Sequence, residues 1–138
     1  MRNPSPFSLD GKIAVVTGAS RGIGAAIASG LHAHGARVFG ISRSGTAPAD
    51  VAALSCDLSD DAALHRVFGE LAGTCDRLDI VINAAGISLP APGDGGELRR
   101  FRTTLATDLT GVYATILAAH PLLKKAGTSS IVNITSIN

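Results

Sequence analysis

The 138-residue sequence lacks the features that mark several classes of protein. It has 12 Lys and Arg against 11 Asp and Glu, a formal net charge of +1, so the charge balance gives no sign of a nucleic acid or an anionic membrane as partner. No apolar run approaches the roughly 18–20 residues that a membrane span needs, and the polar residues 1–12 contain no signal-peptide core. We therefore expect a cytoplasmic protein without nucleic-acid or membrane partners.

Cysteine is scarce, and histidine shows no useful pattern. Cys56 and Cys75 are too few for a disulfide framework and suit a reducing compartment. Neither they nor the four histidines have a spacing typical of metal ligands, so we expect no metal site. A hydrophobic content of 46% with 17% charged residues instead indicates one α/β domain with a single core, spanning residues 1–138.

Strand and helix patterns alternate along the chain. We predict strands at 12–17, 36–42, 51–56, 79–83 and 130–135, and helices at 22–34, 60–73 and about 97–125. This alternation predicts a doubly wound parallel sheet with helices on both faces.

Two further expectations concern the region after the fourth strand. Residues 87–96 are expected to form a flexible loop. The long third helix is predicted to pack on the sheet through an apolar stripe, which would place Tyr113 in the core. That stripe contains Leu98, Phe101, Leu105, Leu109, Val112 and Ile116.

A glycine-rich segment joins the first strand to the first helix. Residues 17–24 read Thr-Gly-Ala-Ser-Arg-Gly-Ile-Gly directly after the apolar residues 13–16. Glycines can adopt positive φ and let backbone approach a ligand closely, and the free amides and dipole of a helix start favour a pyrophosphate. A tight strand-to-helix turn without a ligand is the alternative interpretation.

Small and polar residues follow the predicted strands at their carboxyl ends. They are Gly18, Ser42, Asp57, Asn83 and Ser136. Because ligands of open parallel sheets bind beyond this edge, we expect these residues to line one site.

Taken together, these motifs resemble the short-chain dehydrogenase/reductase family. Four segments match in order: residues 17–24, Cys56-Asp57-Leu58, Asn83-Ala84-Ala85-Gly86, and Ile-Val-Asn-Ile-Thr-Ser at 131–136. The resemblance runs from about Leu9 to the last residue. It implies a Rossmann-type sheet of order 3-2-1-4-5, incomplete on its C-terminal side, and hydride transfer between a nicotinamide cofactor and a small alcohol/carbonyl substrate.

The resemblance also implies roles for individual residues. Asp57 would accept a hydrogen bond from the adenine amino group with Leu58 near the ring, and Asn83 would hold the central strand beside the ribose. On the residues alone, Asp57 or Ser59 could instead cap the next helix, and Asn83 could be a turn former without a ligand. The full set expected at the cofactor is Gly18, Ser20, Arg21, Gly22, Ile23, Gly24, Ser42, Arg43, Asp57, Leu58, Asn83, Ala84, Ala85 and Gly86.

Charge at the end of the second strand predicts which cofactor is used. An enzyme that selects the ribose 2′-hydroxyl would carry an acid there, whereas this chain has Ser42 and Arg43 and no acid between residues 38 and 49. Arg21 could reach the same region, and two guanidinium groups suit a 2′-phosphate. We predict NADP(H), with NAD(H) as the alternative if both arginines are merely solvated.

The resemblance places one catalytic residue in this chain. Ser136 aligns with the serine that hydrogen-bonds the reacting carbonyl oxygen. The family's tyrosine, with a lysine four residues later, is expected beyond Asn138, because the only tyrosine is Tyr113 and Leu117 follows it by four. Asp108 stands where the family has an asparagine whose backbone carbonyl holds a relay water, and its role stays open.

The leading hypothesis is the N-terminal portion of an NADP(H)-dependent dehydrogenase/reductase that is a homo-oligomer when complete. A non-catalytic NADP(H)-binding module and a subunit completed by a second chain are the alternatives. An unpaired fifth strand with the apolar residues Ile131, Val132, Ile134 and Ile137 is expected to make the isolated segment unstable or prone to aggregation.

Overall fold

Five parallel strands form one sheet in a computed structural model that describes residues 5–89 and 96–136. Their order, β3-β2-β1-β4-β5, confirms the predicted doubly wound arrangement. The strands are β1 (Ile13–Thr17), β2 (Arg37–Ser42), β3 (Ala52–Ser55), β4 (Ile80–Asn83) and β5 (Ser130–Asn133). The described helices are α1 (Gly22–Ala33), α2 (Asp61–Thr74), α3 (Glu97–Leu105) and α4 (Gly111–Lys125), with a π-helical turn at Ala106–Thr110.

The core lies on both faces of the central strand β1. Its side chains alternate between the faces, so Val15 packs with the cluster that α2 and α4 cover, while Ala14 and Val16 pack with Ala28 of α1. All four are fully buried. Burial on both faces explains why β1 is a continuous apolar run rather than an alternating one.

The region predicted as one helix at about 97–125 is two helices with the π-helical turn between them. Most of the apolar stripe read from the sequence lies on the outer face of this region and does not pack on the sheet. Leu98, Phe101, Leu105 and Leu109 are exposed, and Tyr113 is 63% exposed. The prediction that Tyr113 lies in the core was therefore wrong.

A different face of α4 packs on the sheet. Its buried residues are Gly111, Thr115, Ala119, Leu122 and Leu123. The small residues at its start allow close approach, since a Cβ added at Gly111 would lie 2.9 Å from the carbonyl oxygen of Leu58.

Strand β5 lies at the edge of the described sheet and pairs with β4. It is shorter than predicted, although the Ile134 amide still donates to the carbonyl oxygen of Asn83 at 2.9 Å. Every residue of β5 is exposed. Of the predicted loop at 87–96, residues 90–95 lie outside the described part. No helix in the described ranges has the length and apolar character to cross a membrane.

Candidate functional site

Glycine is required for different geometric reasons at the positions between β1 and α1. Gly18 (φ +70°) and Gly22 (φ +59°) adopt the left-handed conformation that glycine favours. Gly24, expected to do the same, has an ordinary helical backbone and is needed for another reason: a Cβ there would overlap the carbonyl oxygen of Gly18. A Cβ on Gly18 would in turn lie 2.7 Å from the Cα of Ala85. The loop is therefore folded tightly onto the end of β4.

The first turn of α1 carries no side-chain cap. Arg21 precedes the helix in an extended conformation and makes no capping hydrogen bond, and the turn contains no acidic residue. Helix α2 differs, because the Asp60 carboxylate accepts a hydrogen bond from the Ala63 amide at 3.0 Å. Helix α2 is thus capped by Asp60, and not by Asp57 or Ser59, the two residues considered as caps from the sequence. The start of α1 keeps amides and positive dipole available for an anion.

A cleft of about 310 Å³ lies beyond the carboxyl ends of the strands, next to the start of α1. Every residue expected at the cofactor lines it except Asn83. Four lining residues were not expected from the sequence: Ile41 and Cys56, which form apolar walls at the ends of β2 and β3, and Ile87 and Thr107. The signal for the first two was an apolar residue directly before an expected cofactor residue, since Ile41 precedes Ser42 and Cys56 precedes Asp57.

Thr17 is a positioning residue that the sequence analysis also missed. It is fully buried, and its hydroxyl oxygen accepts hydrogen bonds from the amides of Ala84 and Ala85, each at 3.2 Å. These bonds tie the end of β1 to the segment after β4. A threonine ending a buried strand is ordinarily explained by strand propensity, which concealed this role.

Asn83 lies beneath the cleft rather than in its wall. Its side-chain amide donates to Oδ1 of Asn133 at 2.9 Å, linking β4 to β5. Its own Oδ1 is buried and accepts no hydrogen bond from the described residues. The position suits the predicted part of Asn83 in holding the central strands, while contact with a ribose stays a prediction.

Asp57 is exposed at the cleft and held in a fixed orientation. Its Oδ1 accepts hydrogen bonds from the hydroxyl and the amide of Ser59, at 2.7 and 2.9 Å. These bonds, helped by the nearby charge of Arg43, lower the pKa of Asp57 although partial burial opposes them. The carboxylate is therefore an acceptor at neutral pH, as an adenine amino group requires.

Arg21 and Arg43 border an open recess of about 680 Å³ that continues from the cleft. Within the described ranges no carboxylate lies within 4.0 Å of either guanidinium. Ser42 lies at the cleft, but its hydroxyl donates to the carbonyl oxygen of Thr46 at 2.8 Å. The two guanidinium groups at the recess are therefore not held in an ion pair with a described carboxylate, although the charge of Asp57 lies near Arg43.

Asp108 belongs to the π-helical turn and joins it to the segment after β4. Its Oδ1 accepts a hydrogen bond from the Ile87 amide at 2.9 Å. A Cβ on Gly86 would lie 3.7 Å from the same oxygen. The side chain of Asp108 thus links the π-helical turn to the segment after β4. An asparagine could make the same bond, so the departure from the family pattern preserves this contact.

Ser136 follows the end of β5, at the same edge of the sheet as the cleft, but does not line the cleft. Its catalytic role stays a prediction. Tyr113 and Leu117 both lie exposed on α4, so neither is oriented toward the core.

Comparison with known proteins agrees with this geometry. Residues 12–138 match the sequence profile described as short chain dehydrogenase. The chain belongs to this family. It is 35% identical over 141 residues to a D-threitol dehydrogenase of Mycolicibacterium smegmatis, covering 94% of this chain and 54% of that protein.

A further relative and a solved structure come from Pseudomonas aeruginosa. The chain is 37% identical over 145 residues to a rhamnolipids biosynthesis 3-oxoacyl-[acyl-carrier-protein] reductase, covering 95% of this chain and 57% of that protein. A solved structure described as an RhlG/NADP active-site complex superposes with a TM-score of 0.82 at 36% identity, covering 94% of this chain and 55% of that one. The chain spans about half the length of the relatives it matches.

Proposed function

We propose that this chain is the cofactor-binding part of an oxidoreductase that transfers hydride between NADP(H) and an alcohol or carbonyl group of a small molecule. The uncapped start of α1, opening into a cleft lined by the ends of several strands, carries the proposal. An anion there would accept hydrogen bonds from the backbone amides that no side chain caps. The nicotinamide, when bound, supplies or accepts the hydride.

The described residues divide the work of binding. Gly22 and the α1 amides hold the pyrophosphate, and the Asp57 carboxylate accepts a hydrogen bond from the adenine. Residues 84–86, fixed by Thr17, lie beside the ribose. Ser136 holds the oxygen of the reacting carbonyl.

The proton donor would come from outside this chain. The family's chemistry uses a tyrosine with a lysine four residues later, and Tyr113 is followed at that distance by Leu117. Both are on the outer surface of α4.

Preference for NADP(H) over NAD(H) is supported by the charge of the recess. Arg21 and Arg43 can each donate charge-assisted hydrogen bonds to a 2′-phosphate, worth roughly 1.5–3 kcal/mol each. The described residues offer these guanidinium groups no competing carboxylate within 4.0 Å.

Titration of the complete protein with NADPH and NADH, followed by nucleotide fluorescence, tests both parts of the proposal. We expect NADPH to bind at least about tenfold more tightly, and Arg43→Ala to reduce that ratio by about tenfold. Arg102→Ala, an exposed arginine of α3, is the matched control and should leave the ratio unchanged. Equal affinity for both nucleotides would refute the preference. Binding without turnover of any alcohol or carbonyl compound would favour a non-catalytic module.

We further propose that the complete protein is a homo-oligomer. An exposed apolar stripe runs along α3, the π-helical turn and α4 at a spacing of four residues. It consists of Phe101, Leu105, Leu109, Tyr113 and Leu117. An exposed surface of this kind typically marks a contact with another protein surface, and a second copy is the occupant we propose.

The cytoplasm is the location we propose. Cys56 and Cys75 are buried and not joined to each other, which suits a reducing compartment. Burial raises the pKa of both thiols, so they are not reactive thiolates at neutral pH. Imaging of a tagged complete protein would check the location.

A further inference from the structure

The connection between β2 and β3 is short for two parallel strands. Only residues 43–51 separate them, whereas such crossovers normally take a dozen or more residues and include a helix. This β2–β3 link packs directly on the sheet instead. A Cβ added at Gly40 would lie 2.9 Å from the Cβ of Ala47 and 3.0 Å from Cγ1 of Val51. The missing side chain at Gly40 therefore lets the link lie against β2.

Hydrogen bonds fix the first half of the β2–β3 link. The Ser42 hydroxyl donates to the Thr46 carbonyl oxygen at 2.8 Å and accepts from the Thr46 amide at 3.0 Å. The Ser55 hydroxyl donates to the carbonyl oxygen of Arg43 at 3.1 Å. The hydrogen of the Ser42 hydroxyl is consequently engaged within the link, and the turn that carries Ser44 and Thr46 is held in place.

Ser44 and Thr46 line the recess that Arg21 and Arg43 border. Their hydroxyl oxygens are 2.7 Å apart, so one donates to the other and one hydrogen remains. The other contact of Ser44, to the Ser42 hydroxyl, is long at 3.3 Å. A phosphate oxygen is a stronger acceptor than the neutral hydroxyl of Ser42, and it would replace Ser42 as the acceptor of the remaining hydrogen.

We propose that the hydroxyl pair of Ser44 and Thr46 donates its one remaining hydrogen to the 2′-phosphate of NADP(H), beside Arg21 and Arg43. Ser42 acts as a positioning residue that holds Thr46 and does not contact the phosphate. This inference rests on the proposed function and adds the residues that complete the subsite. The compactness of the β2–β3 link is what brings Thr46 to the recess.

The test uses the complete protein and variants that remove a hydroxyl with little change of shape. Ser44→Ala, Thr46→Val and the double variant are titrated with NADPH and NADH by fluorescence, and with 2′,5′-ADP and 5′-AMP by calorimetry. The double variant is expected to bind NADPH and 2′,5′-ADP about tenfold more weakly and NADH and 5′-AMP within twofold of wild type. Thr103→Val, whose hydroxyl bonds only within its own helix to the Arg99 carbonyl oxygen, is the control and should change neither.

Positioning by Ser42 has its own signature. Ser42→Ala should weaken NADPH binding in the wild-type background and add little in the Thr46→Val background, because both changes act through one hydroxyl.

Two results would overturn this inference alone. Equal losses for NADPH and NADH in the double variant would show that the hydroxyls only support the fold. An unchanged preference in the double variant, with the preference lost in Arg43→Ala, would show that the arginines act without them. Failure of the wild-type protein to bind either nucleotide would instead overturn the proposed function itself.

Discussion

The carboxylate of Asp79 accepts a hydrogen bond from the backbone amide of Ile13 at 2.9 Å, joining the starts of β4 and β1. Asp79 is 4% exposed, and Arg77 and Lys12 approach its oxygens at 3.2 and 3.4 Å. Burial opposes ionisation, but the Ile13 amide and these two cations outweigh it, so the pKa of Asp79 lies below its ordinary value. The charged Asp79 side chain thus holds β4 to β1 at the amino-terminal ends of the strands, opposite the cleft.

This charge gives the protein an acid-sensitive contribution to stability. Because the folded pKa of Asp79 lies below its ordinary value of 3.8, the contribution is fully present above pH 3.8. It is lost as the pH falls through the folded value. Asp79→Asn should lower the free energy of unfolding at neutral pH by about 1–2 kcal/mol. The difference from wild type should shrink in acid.

Denaturant unfolding at several pH values would measure the effect. Asp76→Asn is the control, because Asp76 is 84% exposed and makes one long contact of 3.8 Å with Arg77. That variant should stay close to wild type at every pH. A difference between Asp79→Asn and wild type that grows in acid would contradict the assignment.

Gly24 and Gly30 form a matched pair on α1. A methyl group at 24 would overlap the Gly18 carbonyl oxygen, whereas one at 30 meets no atom within 4 Å. Gly24→Ala should therefore destabilise the protein by about 1–3 kcal/mol and abolish NADPH binding, because the loop is pushed from β4. Gly30→Ala should be neutral or raise the stability by up to about 1 kcal/mol. Thermal melts and NADPH titration would measure both, and similar behaviour of the two variants would refute the close-approach argument.

The tie from Asp108 to Ile87 predicts a difference between two substitutions. Asp108→Asn retains an acceptor oxygen and should keep the segment after β4 in place. Asp108→Ala loses the bond, at a cost of about 1 kcal/mol. Hydrogen exchange of the Ile87 amide should accelerate in the alanine variant alone. Equal exchange in all three proteins would show that the bond does not hold the segment.

Interruption of the exposed stripe should change the oligomeric state. Leu109→Glu places a charge at its midpoint, where a second copy would have to bury it. Analytical ultracentrifugation of the complete protein is expected to show a smaller species than wild type. Arg66→Glu, on an exposed position of α2 outside the stripe, is the control. An unchanged oligomer in Leu109→Glu would place the contact elsewhere.

Exposure of β5 predicts how residues 1–138 behave when produced alone. Ile131, Val132 and Ile134 are each more than 40% exposed at the edge of the described sheet, and Ile137 lies outside the described residues. Light scattering should detect association on gentle heating. Reversible, cooperative unfolding of a monomer would contradict this expectation.

The doubly wound parallel sheet and many residues that line the cleft could be predicted from local patterns in the sequence, whereas the strand order came from the resemblance to the family. Asn83 and Ser136 were expected in the same site but do not line the cleft. Alternating strand and helix patterns leave few topologies, and the carboxyl ends of parallel strands such as β1 and β4 meet at one edge. Tyr113 was misplaced because apolar spacing cannot distinguish a helix face that packs on the sheet from one left exposed, and its neighbours Phe101, Leu105 and Leu109 are exposed as well.

Hydrogen bonds between segments distant in the chain could not be predicted from the sequence. The bonds from Ala84 and Ala85 to Thr17, and from Ile87 to Asp108, depend on how the strands are stacked. Thr46 was overlooked because its contact with the recess depends on the packing of Gly40.

The uncapped start of α1 couples occupancy to folding. A helix without a cap tends to fray at its first turn, and a bound diphosphate would supply the missing acceptors. The nucleotide is then a structural component as well as a reagent, and the molecule should be measurably more heat-resistant when loaded than when empty. In a cell short of the dinucleotide, more of the protein would be empty, and the empty form would be degraded more readily than the loaded form.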